Sequence, residues 1–338
     1  MKHSQLRNFA MLAAASLVVV FLAACAAPAA APAQAPANPT SAPAPAADQP
    51  KITLIIYTDA SVEFWVPLIQ GAKDAAQANG VSLDIQYGDN KPETQNNVLE
   101  TAIANKVNGI ALAIYDDNAF NDGICKAVKA GIPVVSYNVD HSKGAAGNCR
   151  LAFMGQSFID TGYLIGKRMI QDHGIKSGDL VLTPVEFPEA TYAVQRYAGV
   201  KKALDEVGAK SELIGTGANL ADAQTKIVQY LIGHPETKAI IGLGSTPLTV
   251  APKAIEEAKV QIPIGGFDLT KDIIAGIENG TITATVDQQP YSQGFYAVTQ
   301  LALADKYGLY PSDMNTGGIG LVDKTNVAKV KALTPQYR

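Results

Sequence analysis

Four histidines, three cysteines and one tryptophan are few for a chain of 338 residues, and their placement closes off several chemistries. His3, His141, His173 and His234 are scattered, without the close spacing of a histidine metal site. No Gly-x-Gly-x-x-Gly follows the first apolar run, so the loop 58–63 is not a dinucleotide cradle. Gly242-x-Gly244-Ser245 lacks the nucleophile-elbow pattern and a histidine partner for the serine. No basic cluster stands out among 27 basic and 31 acidic residues, which argues against a nucleic acid partner. No apolar run reaches the ~20 residues that span a bilayer as a helix. Neither an enzyme, a metal site nor a bound cofactor is expected.

What is present begins with an export signal. Lys2 and Arg7 form a positive start, and residues 9–22 an apolar run too short for a permanent span. Leu22-Ala23-Ala24-Cys25 resembles the bacterial lipobox, which predicts a signal peptide over 1–24 and acylation of Cys25. Residues 25–50 follow as a spacer made almost wholly of Ala and Pro, with seven of the chain's 19 prolines and no aromatic residue. Such a stretch cannot bury enough apolar surface to fold, and its expected task is to hold the body off the membrane. Without Lys2 and Arg7 the balance becomes 25 basic against 31 acidic residues, a net charge of −6. The expected location is therefore extracytoplasmic, anchored to a membrane by an N-terminal lipid. There a disulfide persists, and Cys125 and Cys149 are the pair left to form one. Their bridge would staple a helix to the loop that follows it.

Residues 51–338 alternate strand and helix patterns throughout. Residues 52–57 are a run of mostly branched apolar residues, as in a strand covered on both faces. After the loop 58–63, Phe64, Val66, Leu68, Ile69, Ala72, Ala75 and Ala76 recur at helical spacing until Gly80. Phe64 and Trp65 thus stand where the first strand hands over to its helix, the end of an open sheet where ligands sit. Further strands are expected near 81–87, 109–115, 133–137 and 151–154, then 180–183, 210–214, 239–243, 262–267 and 281–286. Crossovers of about a dozen residues suit parallel sheets. The weak repetition of β-α units argues for two similar lobes, although periodicity alone leaves a closed barrel open.

Several stretches resemble the periplasmic binding proteins for pentoses and hexoses, the ribose-binding type, related to the effector domain of the lactose-repressor family. They are Phe64-Trp65-x-x-Leu68-x-x-Gly71-Ala72, Gly109-Ile110-Ala111-Leu112, Ala130-Gly131-Ile132-Pro133-Val134-Val135 and Arg196-x-x-Gly199. The strongest are Gly265-Gly266-Phe267-Asp268 and Thr283-Ala284-Thr285-Val286-Asp287-Gln288-Gln289-Pro290. The resemblance implies an α/β fold of two Rossmann-like lobes with parallel sheets joined by a three-crossing hinge. One lobe is expected over 51–155 plus 289–315 and the other over 156–288 plus 316–338. It further implies a monosaccharide or polyol held between the lobes, and a membrane permease with ATPase subunits as partner. A sugar receptor for signalling or chemotaxis is the alternative, and a monomer is expected.

The same resemblance implies roles for individual residues. Phe64 and Trp65 match the paired aromatics that sandwich the sugar ring, whose C–H faces are apolar. Asp268 matches the ligand carboxylate, Arg196 the ligand arginine and Gln288 the hinge glutamine, while Asn138 replaces an aspartate after the fourth strand. Val62, Val139 and Gly244 depart from the ribose branch, each where it carries a polar contact. Asp59, Asp117, Asp140, Glu186 and Tyr192, in loops or at helix starts on the same side of a sheet, are candidates to replace those contacts. Ribose itself is accordingly not the expected ligand.

Overall fold

The computed structural model describes residues 49–317 and 320–338. The expected signal peptide, Cys25 and the spacer up to residue 48 lie outside the described residues. Among the described residues no helix is long and apolar enough to cross a membrane.

The first sheet contains β1 (Lys51–Ile56), β2 (Ser82–Tyr87), β3 (Gly109–Leu112), β4 (Val134–Asn138), β5 (Ala152–Gly155) and the late β11 (Met314–Asn315). Its order is β11-β5-β4-β3-β1-β2 and every pairing is parallel. α1 (Trp65–Asn79) and α9 (Pro290–Tyr307) cover one face, α2 (Pro92–Ala104) and α3 (Asn121–Lys129) the other. Ile52, Leu54 and Ile56 of β1 therefore point into one core layer, while Ile55 points into the opposite one. That two-sided burial is why the strand is apolar along its length.

The second sheet repeats the plan with β6 (Leu180–Val185), β7 (Lys210–Gly215), β8 (Thr237–Gly242), β9 (Ile264–Phe267), β10 (Ala284–Val286) and β12 (Leu321–Asp323). The order is β12-β10-β9-β8-β6-β7. α4 (Phe158–His173) and α5 (Thr191–Asp205) pack on one face. α6 (Leu220–Gly233), α7 (Ser245–Glu257), α8 (Lys271–Asn279) and α10 (Val327–Leu333) pack on the other. Two open sheets exclude the barrel. Both sheets are parallel as expected but for one edge, where β12 runs antiparallel to β10. β12 enters from the hinge by a short connection, with no crossover helix to reverse its direction. β11, β12 and α10 have no counterpart in the sequence pattern, and β3 and β10 are shorter than their apolar runs.

In each lobe, glycines let one helix pair approach closely. A Cβ on Gly71 of α1 would lie 2.1 Å from the Tyr291 carbonyl oxygen of α9, and one on Gly294 would lie 2.0 Å from that of Leu68. The second lobe uses the same device, since a Cβ on Gly162 of α4 would fall 2.3 Å from the Arg196 carbonyl oxygen of α5. Cys125 of α3 is bridged to Cys149 before β5, a sequence separation of 24. Closing a loop of that length stabilises by ~3 kcal/mol in the chain-entropy picture.

The chain passes from one sheet to the other between β5 and α4, between β10 and α9 and between β11 and β12. The crossings are bonded to one another. Thr316 N–H donates to the Gly155 carbonyl (2.9 Å), and its hydroxyl to the Gln288 carbonyl (3.2 Å). Gln156 Nε2 donates to the Asp287 carbonyl at 3.3 Å.

Candidate functional site

Both sheets turn the C-terminal ends of their strands toward the space between the lobes, and the polar side chains gather there. Tyr57 follows β1, Asn138 ends β4, Glu186 follows β6, Asp268 follows β9 and Gln288 lies just beyond β10. Asn138 and Asp268 have φ of 61° and 72°, left-handed values that short polar side chains tolerate best. Asp268 is pinned there by its own N–H to the Val286 carbonyl (2.9 Å) and by Thr285 Oγ1 to its carbonyl (2.8 Å).

Asn138, Gln288, Asp268 and Arg196 form one continuous polar chain. Asn138 Nδ2 donates to Gln288 Oε1 and to Gln293 Oε1, both at 3.2 Å. Gln288 Nε2 donates to Asp268 Oδ1 at 2.5 Å. Asp268 in turn accepts from Arg196 Nη1 at 3.3 Å and Nη2 at 3.4 Å, and Nη1 also donates to the Leu243 carbonyl at 2.7 Å. The Arg196 side chain is buried, with its guanidinium 4.3 Å from the Phe267 ring centre, 4.8 Å from Phe158 and 5.2 Å from Tyr192. Among the described residues Arg196 Nε has no hydrogen-bond partner. A guanidinium held between ring faces and a carboxylate is fixed in plane.

Glu186 and Tyr192 join this group. The Glu186 carboxylate accepts from Tyr192 Oη at 3.0 Å and from the Thr246 N–H at 2.9 Å. A Cβ on Gly244 would meet Glu186 Oε2 at 2.0 Å, so the carboxylate fills the room that glycine leaves. Burial pushes the Glu186 carboxyl above its ordinary range, and the neighbouring Asp268 charge adds to the rise. Burial first and the Glu186 charge second likewise raise the Tyr57 hydroxyl, which faces this group from the other lobe. A carboxyl with a raised folded-state pKa gives stability below its unfolded value, which is lost as pH rises through the folded value. Glu186→Gln is therefore expected to raise Tm at pH 8 and to leave it near wild type at pH 4. Equal shifts at both pH values in thermal melts would remove the buried charge as the cause.

A cavity of about 570 Å³ opens between the lobes, lined by Val62, Phe64 and Pro67 on one side and Thr246, Thr249 and Asp268 on the other, with Gln288 at the hinge. Phe64 thus reaches it, whereas Trp65 is only 2% exposed. The Trp65 indole N–H donates to Thr58 Oγ1 at 2.7 Å, and its ring stands edge-on to Tyr57, Phe64 and Tyr137. Three other candidates are held by their own loops. Asp59 accepts from the Ser61 N–H (2.8 Å), and Asp117 from the Ser142 N–H (2.8 Å). Asp140 takes the Arg150 guanidinium at 2.8 and 2.5 Å together with the Ser136 hydroxyl at 2.9 Å. None of the three lines the cavity, and of the polar chain only Asp268 and Gln288 do. Tyr57, Phe158, Thr246 and Gln293 are not singled out by the sequence, and Phe267 enters only as part of a motif. Tyr57 and Phe267 stand at strand ends, and that position was the available signal.

A family model described as "Periplasmic binding protein domain" matches residues 52–306. The xylose/arabinose-binding protein XylF of Sulfolobus acidocaldarius is 30% identical over 275 residues, covering 75% of this chain and 66% of that protein. The D-ribose/D-allose-binding protein of Pseudomonas aeruginosa is 26% identical over 279 residues, covering 80% of this chain and 86% of that protein. Among solved structures, a carbohydrate transporter from Acidothermus cellulolyticus in complex with myo-inositol superposes with a TM-score of 0.76 at 28% identity. The match covers 84% of this chain and 98% of that one.

Proposed function

The chain belongs to the periplasmic binding protein family, and on that premise we propose that it captures a monosaccharide or polyol between its lobes. In this reading it hands the ligand to a membrane permease driven by ATPase subunits, as a binding protein with no chemistry of its own. The supporting observation is the polar chain from Asn138 through Gln288 and Asp268 to Arg196, which runs across the hinge from one lobe to the other. Hydroxyls of a sugar both donate and accept, and a row of alternating amide, carboxylate and guanidinium groups meets them with either role. The cavity of about 570 Å³ lies within the usual range for small-molecule sites. Phe64 offers it an apolar wall for the C–H face of a ring.

Ligand contacts are assigned to Phe64, Asp268 and Gln288, which line the cavity, and to Asn138 and Arg196 bonded to them, with Glu186, bonded by Tyr192, taking up the room above Gly244. The lobes divide as 51–155 plus 289–315 and 156–288 plus 316–338. Acylated Cys25 and the Ala/Pro spacer keep the monomeric body at the membrane. Exchange of hydrogen bonds and ring contacts between open and closed states then couples ligand capture to domain closure.

Thermal melts against D-xylose, L-arabinose, D-ribose, D-allose and myo-inositol test the reading. A ligand at 100 times its Kd stabilises by about 2.7 kcal/mol, which for a body of this size raises Tm by roughly 5 °C. At least one of these compounds is expected to do so. No shift with any sugar or polyol would sink the proposal.

A further inference from the structure

The chain after α10 makes contacts that its place in the second lobe does not require. α10 itself packs on α8 and β12 of that lobe. Beyond it, Thr334 and Pro335 line the inter-lobe cavity. The Tyr337 ring then lies 5.3 Å from that of Tyr291, in the first turn of α9 and so on the first lobe. Tyr291 is held in turn by its hydroxyl to Asp74 of α1 at 2.8 Å. Finally the Arg338 guanidinium pairs with the carboxylate of Asp287, at the second crossing, and also lines the cavity.

Asp287 makes this pairing informative. Its side chain is only 3% exposed. Besides Arg338 it accepts from the Gln289 N–H at 2.9 Å. A carboxylate so placed needs a countercharge, because an isolated buried charge is strongly disfavoured. The next residue is Gln288, which bonds both Asp268 and Asn138. The ion pair therefore sits one peptide away from the polar chain that crosses the cleft.

We propose that residues 334–338 are a strap across the hinge that forms part of the cavity wall, with Arg338 as a positioning residue for Gln288. The strap leaves the second lobe, lays Tyr337 on the first and is pinned by Arg338 to Asp287 at the crossing, so opening the lobes must pull Tyr337 from Tyr291 or Arg338 from Asp287. It biases the apo protein toward closure and raises affinity by lowering the fraction of molecules that are too open to bind. What the cavity binds rests on the function proposed above; the bias on the lobes does not.

The test uses the full mature chain with fluorophores at two exposed positions, Ala104 of α2 and Lys201 of α5, one in each lobe. Without ligand, Arg338→Ala and a chain ending after Leu333 should show longer and broader inter-lobe distances than wild type. Arg338→Lys should keep most of the wild-type distribution, and in an Asp287→Asn background Arg338→Ala should add nothing further. With D-xylose and myo-inositol as probes, whichever binds wild type should bind Arg338→Ala about tenfold more weakly. Unchanged ligand-free distances in both Arg338→Ala and the shortened chain would overturn the strap. Should wild type bind neither probe, the sugar reading suffers while the ligand-free distances still decide this one.

Discussion

Replacing Asp268 by asparagine is expected to weaken ligand binding by roughly 30-fold to several thousand-fold, the equivalent of ~2 to 5 kcal/mol for breaking a buried charged contact. Asparagine is the informative choice because residue 268 has a φ of 72°. Alanine there would add about 1–2 kcal/mol of left-handed backbone strain to whatever the lost charge costs. Asparagine keeps the shape and the tolerance and removes only the negative charge. Gln288 and Arg196 both donate to this carboxylate, so its loss breaks the chain across the cleft at its centre. Asparagine offers Arg196 and Gln288 one neutral oxygen and an NH2 group, so Arg196 stays buried beside the Leu243 carbonyl without its charged partner. Removing one partner of a buried pair destabilises by about 3–5 kcal/mol, so urea unfolding should fall alongside affinity. Calorimetric titration with the ligand found by thermal screening measures the first effect. Near-wild-type affinity would move the binding site away from Asp268.

Trp65→Ala should produce the second large effect, and the structure makes it an effect on stability. The ring is 2% exposed, packed edge-on against three aromatic neighbours and bonded to Thr58. Truncating a buried large aromatic to alanine destabilises by about 3–5 kcal/mol, including the cavity left behind. Trp65→Phe keeps a ring but drops the bond to Thr58, and should lose about 1 kcal/mol or slightly more. Denaturant midpoints with unchanged m values would report both. If affinity collapses while stability holds, the ring acts on ligand directly, as the paired-aromatic resemblance implied. Phe64, which lines the cavity, is the aromatic whose truncation should act on binding first.

How far the sequence could be read depends on the length scale of each contact. β1 and α1 were legible because their signals are local: a branched apolar run, a helical stripe, and Gly80 at the left-handed C-cap. β11 and β12 were not, since two or three residues become strand only by pairing with β5 and β10. Asp268, Arg196 and Gln288 could be named from their motifs, and the fold brings them into one hydrogen-bonded group. Asp59, Asp117 and Asp140 looked equivalent to them, because a loop position on the right side of a sheet is all that sequence reveals. Whether a carboxylate is free depends on its partners, and Asp140 has Arg150. Glu186 is the reverse case. That its carboxylate covers Gly244 depends on how the loops after β6 and β8 meet.

The glycine contact between α4 and α5 constrains how the pocket can be redesigned or can drift in evolution. Gly162 already touches the Arg196 backbone, with no room for even a methyl group between them. The platform that carries the guanidinium can be neither pushed in by a larger residue on α4 nor rotated without losing the helix pair. New ligand preferences must therefore come from the loops that face the cavity and from the first turns of α6 and α7, at positions such as Val62, Ala218, Leu220 and Thr246, while α4 and α5 stay as they are. A library confined to those positions should retain far more folded members than one of equal size placed on α4 and α5.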